Sequence, residues 1–582
     1  MTQTAHLAQS LIARVVPNVT GLDKQFDYLV PDLLREQVAI GSLIRVPLHG
    51  RRVGGWVVSL GATPGADSPV AAEKLIPVAK WSSVGPSAEL VELARWAAPR
   101  WGTDRLRPFL VAASPPTMVG RLPGARRTVA ATGTVHESGV WRIGPLEDPL
   151  PLVLAAARTG PTLVLHPSPP AARALAARVR REGLTAAVVP DEWASAAGGV
   201  DVVVGTRVGA WAPCPGMKAV VLLDEHDESY QEERTPTWHA RDVVIERAAR
   251  AGAACMLISP CPTVTALRWA TNSARSVHRS SHALQWPLIE IDDRSDVEPW
   301  KRTLVGSSLI RSLRDPSKRV VCVLNIVGRA RLLACRVCRN LQRCERCEAA
   351  VRQRDDGMLE CPRCDTVRPK VCQACGASAM ALVKPGVTRL REELEAAANR
   401  PVVMVTGESD GDLPAGDVFV GTEAVLHRVR NVDVVAFLDF DAELLAPRYR
   451  AAEQAMALLV RAGRLVGARD RGGRVIVQTY VAQHEVLQAV LIGDAGRVVD
   501  SELARRRLLG LPPFRALAAI EGADAESIAA ATGLEFGSTA KGVLVRADDW
   551  LMLGHALADA ASAKDARTKG SRLRIEVDPQ RI

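Results

Sequence analysis

Eight of the twelve cysteines lie within 41 residues of this 582-residue chain, as four Cys-x-x-Cys pairs. The pairs are Cys335/Cys338, Cys344/Cys347, Cys361/Cys364 and Cys372/Cys375. Two thiolates at this spacing reach one tetrahedral ion at a Zn–S distance of ~2.3 Å, so four pairs can close two four-cysteine sites. A disulfide framework is typical of small secreted domains, whereas Met1–Val16 does not have the pattern of a signal peptide, and a redox motif uses one pair. The sequence predicts two structural zinc ions.

The gaps between successive pairs indicate which cysteines share an ion. They hold 5, 13 and 7 residues. A zinc ribbon joins its two pairs through a dozen or more residues, so the long gap favours a nested arrangement. The inner site is then Cys344, Cys347, Cys361 and Cys364, and the outer site is Cys335, Cys338, Cys372 and Cys375. A sequential pairing across the two short gaps stays an alternative.

The cysteine segment is also rich in arginine. Eight arginines lie from Arg329 to Arg354, with Glu345 and Glu348 among them. Guanidinium groups at this density favour a phosphate-bearing or acidic partner. A solvated basic surface without a partner is the alternative interpretation.

Composition sets broad limits on the class of protein. The length predicts three to five domains, and 47% apolar residues are ordinary for a globular chain. The net charge of +10 weakly favours a polyanionic partner. No apolar stretch approaches the ~20 residues of a membrane helix, so we expect a cytoplasmic protein with no membrane partner. The four other cysteines are expected to be core side chains: Cys214, Cys255, Cys261 and Cys322.

The first part of the chain alternates short β-like runs with glycine turns, which predicts a small β-rich domain. The runs are Leu11–Val16, Phe26–Val30, Ser42–Pro47 and Gly55–Leu60. An amphipathic helix is predicted over Ser87–Trp101, with Ser87 as its N-cap. Pro115 and Pro116 begin a stretch that is typical of an exposed linker and ends near Gly139.

From Val140 onward, short continuous apolar runs alternate with helical stretches. Such runs are typical of buried parallel strands, and nine of them are too many for one sheet, so two α/β lobes are predicted. The runs are Thr162–His166, Asp201–Gly205, Ala219–Leu223, Cys255–Ser259, Val320–Asn325, Pro401–Thr406, Asp417–Gly421, Val432–Leu438 and Arg474–Thr479. The cysteine pairs interrupt the second lobe after its first strand, and a small α+β remainder ends in the strand-like Leu573–Val577.

Several motifs together resemble one family. They are the acidic segment Asp224–Tyr230 with His239–Asp242, Gly205-Thr206-Arg207, Gly421-Thr422-Glu423, Gly386–Leu394, Phe26–Leu29, Arg45-Val46-Pro47 and Glu576-Val577-Asp578-Pro579. With the order and gaps of the cysteine pairs, they resemble the replication restart protein PriA family, also called primosomal protein N′, among the superfamily 2 helicases. The resemblance covers nearly the whole chain, and the family's nested zinc assignment agrees with the pairing that the gaps favour.

The resemblance implies a multidomain α/β fold. Two RecA-like helicase lobes carry a double four-cysteine zinc insertion in the second lobe; a β-rich 3′-DNA-binding domain and a winged-helix-like segment precede them, and a small α+β C-terminal domain follows. The implied boundaries are 1–78 for the 3′-DNA-binding domain, 79–115 for the winged-helix-like segment, 116–139 for a linker, 140–318 for a degenerate first lobe, 319–512 for the second lobe with its insertion at 335–376, and 513–582 for the C-terminal domain.

The resemblance also implies that Phe26, Asp27 and Tyr28 help to form a pocket for a DNA 3′ end. An aromatic ring can stack on a terminal base, and a carboxylate can accept a hydrogen bond from a 3′-hydroxyl. In the alternative interpretation, Phe26 and Tyr28 are core residues of a strand.

The chain departs from the family at its nucleotide site. It has no Gly-Lys-Ser/Thr, and Val140–Arg158 has no lysine or glycine-rich turn where the phosphate loop is expected. The family's Asp-Glu-Glu-His corresponds to Leu223-Asp224-Glu225-His226, which replaces the metal-binding aspartate by leucine and leaves Asp224, Glu225 and His226 as a degenerate acidic box. A shifted box over Asp224–Asp227 is the alternative.

Two further motifs depart as well. Ser259–Thr263 replaces Ser-Ala-Thr-Pro, and Gly463–Gly467 has lost or displaced the second arginine of an arginine finger. Together these changes put ATP and Mg²⁺ binding in doubt. We therefore expect no catalytic residues and no enzyme activity.

The function implied is replication restart. The chain would bind abandoned or stalled forks, expose a helicase-loading site and promote primosome assembly without helicase activity of its own. Its implied partners are forked DNA with a nascent 3′ end, primosome and replicative-helicase-loading proteins, and single-stranded DNA-binding protein. One alternative is an active DNA-dependent ATPase and 3′–5′ helicase with a non-standard nucleotide site. Another is a zinc-stabilised binder of RNA or transcription complexes.

Overall fold

The computed structural model describes residues 11–22, 24–65, 70–71, 74–128, 137–280, 286–296, 304–324, 332–354, 356–382, 390–405, 413–539, 541–565 and 573–581. Contacts between α-carbons divide the chain into two compact units. The first unit is Met1–Gly139, Pro149–Leu257 and Arg515–Pro579; the second is Val140–Asp148, Ile258–Phe514 and Gln580–Ile582. Within the described ranges, no helix has both the length and the apolar character that crossing a membrane requires.

A five-stranded antiparallel sheet begins the first unit. Its strands are β1 (Leu11–Pro17), β2 (Phe26–Val30), β3 (Leu43–Leu48), β4 (Arg51–Gly61) and β5 (Lys80–Ser83), in the order β2-β1-β4-β3-β5. Val15, Tyr28, Ile44 and Val57 are buried in one apolar cluster of this sheet. Helices α1 (Ala88–Arg100) and α2 (Arg107–Ala113) follow. Ser87 lies at the N-cap of α1 as predicted, but its side chain makes no capping hydrogen bond.

Parallel strands and helices follow, of which residues 149–257 belong to the first unit and residues 140–148 and 258–279 to the second. The elements from here to the second sheet are β6 (Gly139–Arg142), α3 (Leu150–Ala157), β7 (Thr162–Leu165), α4 (Pro169–Arg181), β8 (Ala186–Val188), α5 (Trp193–Gly198), β9 (Val202–Gly205), β10 (Ala219–Leu223), α6 (Ala240–Ala251), β11 (Ala254–Ser259), α7 (Val264–Asn272) and β12 (Ser276–Arg279). Strands β10, β7, β9 and β8 are neighbours in that order, and each adjacent pair is parallel.

The second unit contains a six-stranded parallel sheet in the order β13-β23-β22-β14-β21-β20. Its elements are β13 (Leu288–Asp293), α8 (Ser307–Arg314), β14 (Val320–Val323), α9 (Leu390–Ala398), β20 (Val403–Val405), β21 (Val418–Gly421), α10 (Val425–Arg428), β22 (Val434–Phe437), α11 (Asp441–Leu444), α12 (Ala451–Val466), β23 (Arg474–Thr479), α13 (Glu485–Leu491) and α14 (Arg497–Leu509). Two apolar clusters pack on this sheet and bury Val321 and Phe419 in one and Val320 and Ile476 in the other.

The cysteine segment follows β14 and folds into two very small sheets. Strand β15 (Leu333–Cys335) pairs with β19 (Met380–Leu382), and β16 (Arg352–Gln353), β17 (Leu359–Glu360) and β18 (Val367–Arg368) form the second sheet. Residues 383–389, which include the first four residues of the predicted motif Gly386–Leu394, lie outside the described residues.

The end of the chain adds an antiparallel sheet to the first unit. Its elements are β24 (Ala516–Glu521), α15 (Ala525–Ala531), β25 (Glu535–Ser538), β26 (Val543–Ala547), α16 (Trp550–Asp565) and β27 (Arg574–Val577), with strand order β25-β26-β24-β27. The predicted fold class, a multidomain α/β chain with a β-rich start and a double cysteine insertion, is confirmed. The predicted domain boundaries stay predictions.

Candidate metal centres and DNA-binding domain

All four cysteine pairs have the same backbone turn. The first cysteine of each pair accepts a hydrogen bond at its carbonyl from the residue four positions later. That residue has a left-handed backbone at Arg339, Glu348, Asp365 and Gly376, with φ from 57° to 75°. In two pairs a backbone N–H also donates to the first sulfur: Val337 to Cys335 and Arg346 to Cys344, each at 3.4 Å. This turn points both sulfurs of a pair to one side, as a shared ion requires.

The sulfurs assemble into two groups of four in the nested arrangement that the gaps favour. One group is Cys335, Cys338, Cys372 and Cys375, and the other is Cys344, Cys347, Cys361 and Cys364. Within each group all sulfurs lie within 4.8 Å of one another, and the shortest contacts are 3.5 Å. Four thiolates bound to one Zn²⁺ at ~2.3 Å have about this separation. Each group can therefore hold a metal ion, and its all-sulfur donor set suits zinc.

Electrostatics in the inner group also suit a cation. The hydrogen bond with Cys347 lowers the pKa of Cys344, while the same contact raises the pKa of Cys347 to about 12. Neighbouring thiols thus compete for protons. A bound divalent ion replaces those protons and lets all four sulfurs be thiolates at neutral pH.

The two groups differ in their exposure to solvent. In the inner group Cys344, Cys347 and Cys361 are buried, and they pack with Leu333 and Leu359 in a small apolar cluster. In the outer group, Cys338 and Cys375 are exposed. The buried amide of Gln342 donates to the sulfur of Cys372 at 3.4 Å, which supports the outer group from the protein side.

An arginine ties the inner group to the helices of the second unit. Arg363, between Cys361 and Cys364, donates to the carbonyl of Tyr449 at 3.0 Å. Its guanidinium also lies 3.8 Å from Glu502, which is fully buried on α14. The sequence gives no sign of this contact, because its partners are more than 80 residues apart along the chain.

The predicted arginine surface is only partly free for a partner. Arg329 and Arg331 lie outside the described residues. Arg336 and Arg346 are exposed. Arg352 instead forms an ion pair with Glu360 at 2.8 Å, so part of the positive charge of this segment is neutralised within the protein.

The candidate 3′-end residues all lie on β2, but they do not face the same side. Tyr28 is buried in the core, and its hydroxyl donates to the carbonyl of Pro47 at 2.9 Å. Phe26 is half-buried against the same core. Asp27 points to the opposite face, because side chains alternate along a strand, and its Oδ2 accepts the N–H of Gly65 at 3.1 Å. Of the three residues, Asp27 is therefore the one directed away from the core.

The acidic-box residues follow β10 and enter a buried ionic network. Asp224 and Glu225 are buried, and Asp224 has a left-handed backbone with φ of 53°. Glu225 accepts from Arg241 at 3.1 Å, and both side chains are at most 1% exposed. Arg241 also contacts Asp242 at 3.0 Å and lies 3.9 Å from Asp578. The carboxylate of Glu225 is thus neutralised by a protein cation.

The network reaches the N-terminal helix α1 as well. Arg100 donates to Asp242 at 2.9 Å. Burial alone would raise the pKa of Asp242, but the nearby Arg241 and Arg100 outweigh burial and lower it. In the sequence, Asp242 and Arg241 were recognisable only as members of a motif, and Arg100 had no predicted role.

The other degenerate motifs take ordinary structural positions. Val140–Arg158 contains most of β6 and the whole of α3. The side chain of Thr263, in the altered Ser-Ala-Thr-Pro motif, caps α7 by accepting from Ala266 at 3.1 Å. Gly463 lies within α12, where the closest atoms to an added Cβ would be those of Pro287 at 3.2 Å. None of these observations assigns a catalytic role.

Parallel α/β sheets with a double four-cysteine insertion, placed after a small β-rich domain, define a multidomain α/β class of protein. Residues 14–106 match the family model described as the 3′ DNA-binding domain of PriA. The chain is 26% identical to replication restart protein PriA of Bacillus subtilis over 59% of this chain, and 27% identical to PriA of Thermotoga maritima over 56%. The resemblance to PriA is confirmed. The chain matches 46% and 47% of the lengths of these relatives.

Solved helicase structures are also similar to this chain. Escherichia coli DExH-box NTPase HrpB is 13% identical, with a TM-score of 0.30 over 60% of this chain and 40% of that chain. Saccharomyces cerevisiae Dbp5 is 11% identical, with a TM-score of 0.33 over 73% of this chain and 98% of that chain. Both similarities concern the fold alone.

The expectation that the chain is not an enzyme is contradicted by these comparisons. The matching structures are those of an NTPase and of helicases, including helicase MrfA bound to DNA and AMPPNP, so the neighbours of this chain are enzymes. The expectation rested on missing motifs in one sequence. A missing Gly-Lys-Ser/Thr shows that the usual phosphate ligands are absent, but it does not measure turnover.

Proposed function

We propose that the chain is a DNA-binding protein of the PriA type that acts in replication restart. The observation that carries this proposal is the match of residues 14–106 to the PriA 3′ DNA-binding domain, on a chain that is similar to PriA over more than half of its length. The predicted partners extend the proposal: forked DNA with a nascent 3′ end, primosome and helicase-loading proteins, and single-stranded DNA-binding protein. A cytoplasmic location stays a prediction.

In this proposal the N-terminal domain recognises the 3′ end of the nascent strand, and Asp27 contributes the polar contact. One oxygen of Asp27 accepts the N–H of Gly65, which fixes the orientation of the carboxylate. Among the described residues, none donates to its other oxygen, Oδ1. An oriented carboxylate with a free oxygen suits a terminal hydroxyl as donor.

The experiment compares forks whose nascent strand ends in a 3′-hydroxyl or in a 3′-phosphate. We expect the wild-type chain to bind the 3′-hydroxyl fork more tightly, because a phosphate repels the carboxylate and offers no comparable donor. Asp27→Ala should weaken binding to the 3′-hydroxyl fork by roughly tenfold and leave the other fork nearly unchanged, as loss of a charge-assisted hydrogen bond predicts. Fluorescence anisotropy on labelled forks gives both affinities.

Asp32→Ala is the matched control, since Asp32 lies in the same domain, is largely exposed and pairs with Arg35 at 2.9 Å. It should behave as wild type on both forks. If Asp27→Ala weakens binding to both forks equally, Asp27 only supports the fold of the domain.

We further propose that both cysteine groups hold zinc and shape the segment between β15 and β19 as a partner-binding module. The two groups of four neighbouring sulfurs and the exposed Arg336 and Arg346 support this proposal. Atomic emission analysis of the purified chain should find two zinc ions per chain. A chain that folds fully with neither ion bound would contradict the assignment.

A further inference from the structure

Two arginines of the second unit share one aromatic ring. Arg268 on α7 and Arg507 on α14 place their guanidinium carbons 5.0 Å and 4.9 Å from the centroid of the Phe514 ring. Arg507 is exposed, and Arg268 and Phe514 are half-buried. We call these three residues the arginine–phenylalanine cluster.

The cluster has an excess of positive charge. Within the part of the chain that the structure describes, no carboxylate lies within 4.0 Å of either guanidinium. The preceding residues on the same helix behave differently: Arg505 pairs with Glu485, and Arg506 pairs with Glu453 and Glu502. Without a carboxylate partner, the N–H groups of both guanidinium groups can donate to a bound anion.

The ring determines which kind of anion is suited. A guanidinium stacked on an aromatic ring is held in one plane, and its N–H groups point outward along its edge. This edge can donate two parallel hydrogen bonds to a phosphate. Because the guanidinium groups already lie over the Phe514 ring, the ring orients the arginines rather than stacking on a base.

A similar contact follows just past the end of α7. The guanidinium of Arg275 lies 4.6 Å from the ring centroid of Trp269, next to Arg268 in sequence. Arginine–aromatic contacts therefore continue beyond the cluster. Exposed or half-buried guanidinium groups without carboxylate partners suit a polyanion such as a DNA strand, which has one phosphate per ~3.4 Å of rise.

We propose that the arginine–phenylalanine cluster binds backbone phosphates of DNA without reading sequence, as a second contact separate from the N-terminal domain. The proposal rests on the DNA-binding function proposed above but concerns different residues. In this proposal the second unit contacts the backbone of duplex DNA, and this contact does not depend on the chemistry of the 3′ end.

The experiment measures binding of the full chain to a plain mixed-sequence duplex over a range of salt concentrations. Each phosphate contact contributes ~0.9 to the slope of log affinity against log salt. Arg268→Ala and Arg507→Ala should each reduce that slope by ~0.9 and lower the affinity roughly fivefold at physiological salt. Both variants should keep the wild-type preference for a 3′-hydroxyl fork over a 3′-phosphate fork.

Arg391→Ala is the matched control, because Arg391 is an exposed arginine of the same unit that pairs with Glu395. It should leave affinity and slope unchanged. Arg507→Lys keeps the charge but loses the planar donor edge, so it should weaken binding roughly two- to threefold with an unchanged slope. If circular dichroism shows that an alanine variant does not fold, the lysine variants of Arg268 and Arg507 test the proposal in its place.

Alanine variants that bind like Arg391→Ala, or lysine variants that bind like wild type where alanine variants do not fold, would overturn the proposal. Failure of the proposed 3′-end function gives a different result: wild type itself would not distinguish the two forks, whatever the cluster variants do on duplex DNA.

Discussion

At the scale of single residues, buried charge is the feature that motif matching did not predict. Asp224, Glu225 and Asp242 were recognisable as members of acidic motifs in the sequence. The pairing of Glu225 and Asp242 with Arg241 was not, because nothing in the sequence brings a helix N-terminus onto the end of a strand 16 residues earlier. Burial and ion pairing depend on how the whole chain packs. The acidic residues could therefore be identified from the sequence, but their burial and their partners could not.

Arg241 should be essential for stability. Arg241→Met leaves Glu225 buried without its cation, and removing one partner of such a pair costs about 3–5 kcal/mol of unfolding free energy. The double variant Glu225→Gln/Arg241→Met should recover part of that loss, since it removes the unpaired charge. Urea denaturation, monitored by circular dichroism, measures the unfolding free energy of the single and the double variant.

Arg250→Ala on the same helix is the control for Arg241. Its pair with Glu246 is an exposed one spaced four residues apart, and such pairs contribute about 0.3–0.5 kcal/mol. If Arg241→Met costs no more than Arg250→Ala, the network around Glu225 is not the stabilising feature described here.

His484 makes stability depend on pH. Burial lowers its pKa to about 4, with a smaller opposing effect from Glu348 and smaller lowering effects from Arg505 and Arg343. The unfolded value is ~6.5, so the folded chain disfavours the proton. The contribution of neutral His484 to the free energy of unfolding is therefore fully present above pH ~6.5. It is lost as the pH falls towards 4, and the loss is about 2 kcal/mol at pH 5.

His484→Asn tests this dependence. The imidazole of His484 accepts from the N–H of Val486 at the start of α13, and an asparagine oxygen can take over that cap without titrating. The difference in unfolding free energy between pH 7 and pH 5 should shrink by about 2 kcal/mol in the variant. An unchanged difference would show that other groups cause it.

At the scale of elements, the sequence was most informative where one strand or one turn carries its own signal. All nine predicted apolar runs coincide with or overlap a strand, including β7, β14 and β23, because buried parallel strands are apolar on both faces. Strand β13 was missed: none of its residues is buried, so it has no continuous apolar run. The nested pairing of the cysteines could be predicted from the sequence, because the gap lengths limit which Cys-x-x-Cys turns can meet.

The two metal sites should lose their ions at different rates. Cys338 and Cys375 expose the outer group, whereas the inner group is largely buried. A chelator should therefore remove one ion in a fast phase and the second in a slow phase that requires local unfolding. Release can be followed with a colorimetric zinc indicator.

Cys338→Ser should abolish the fast phase and leave the slow phase in place, because the inner sulfurs do not depend on Cys338. Release of both ions in a single phase from the wild-type chain would contradict the difference in protection between the sites.

At the scale of the whole molecule, two units combine parallel sheets, a cysteine module and a β-rich N-terminal domain. The sequence predicted this combination because several weak motifs resemble one family together, although each alone is unspecific. It did not predict activity correctly, since absent motifs were taken as evidence about catalysis. Nor does the sequence show which arginines lack an acidic partner, which depends on distances across the fold.

The central claim is that the chain recognises forked DNA through its 3′ end. The most direct test is a competition experiment in which the full chain, bound to a labelled fork with a 3′-hydroxyl at the junction, is challenged by unlabelled fork, plain duplex and RNA of equal length. The fork should compete at least tenfold better than duplex or RNA, the factor for one charge-assisted contact of about 1.4 kcal/mol. Equal competition by all three would contradict it and favour a general binder of nucleic acids.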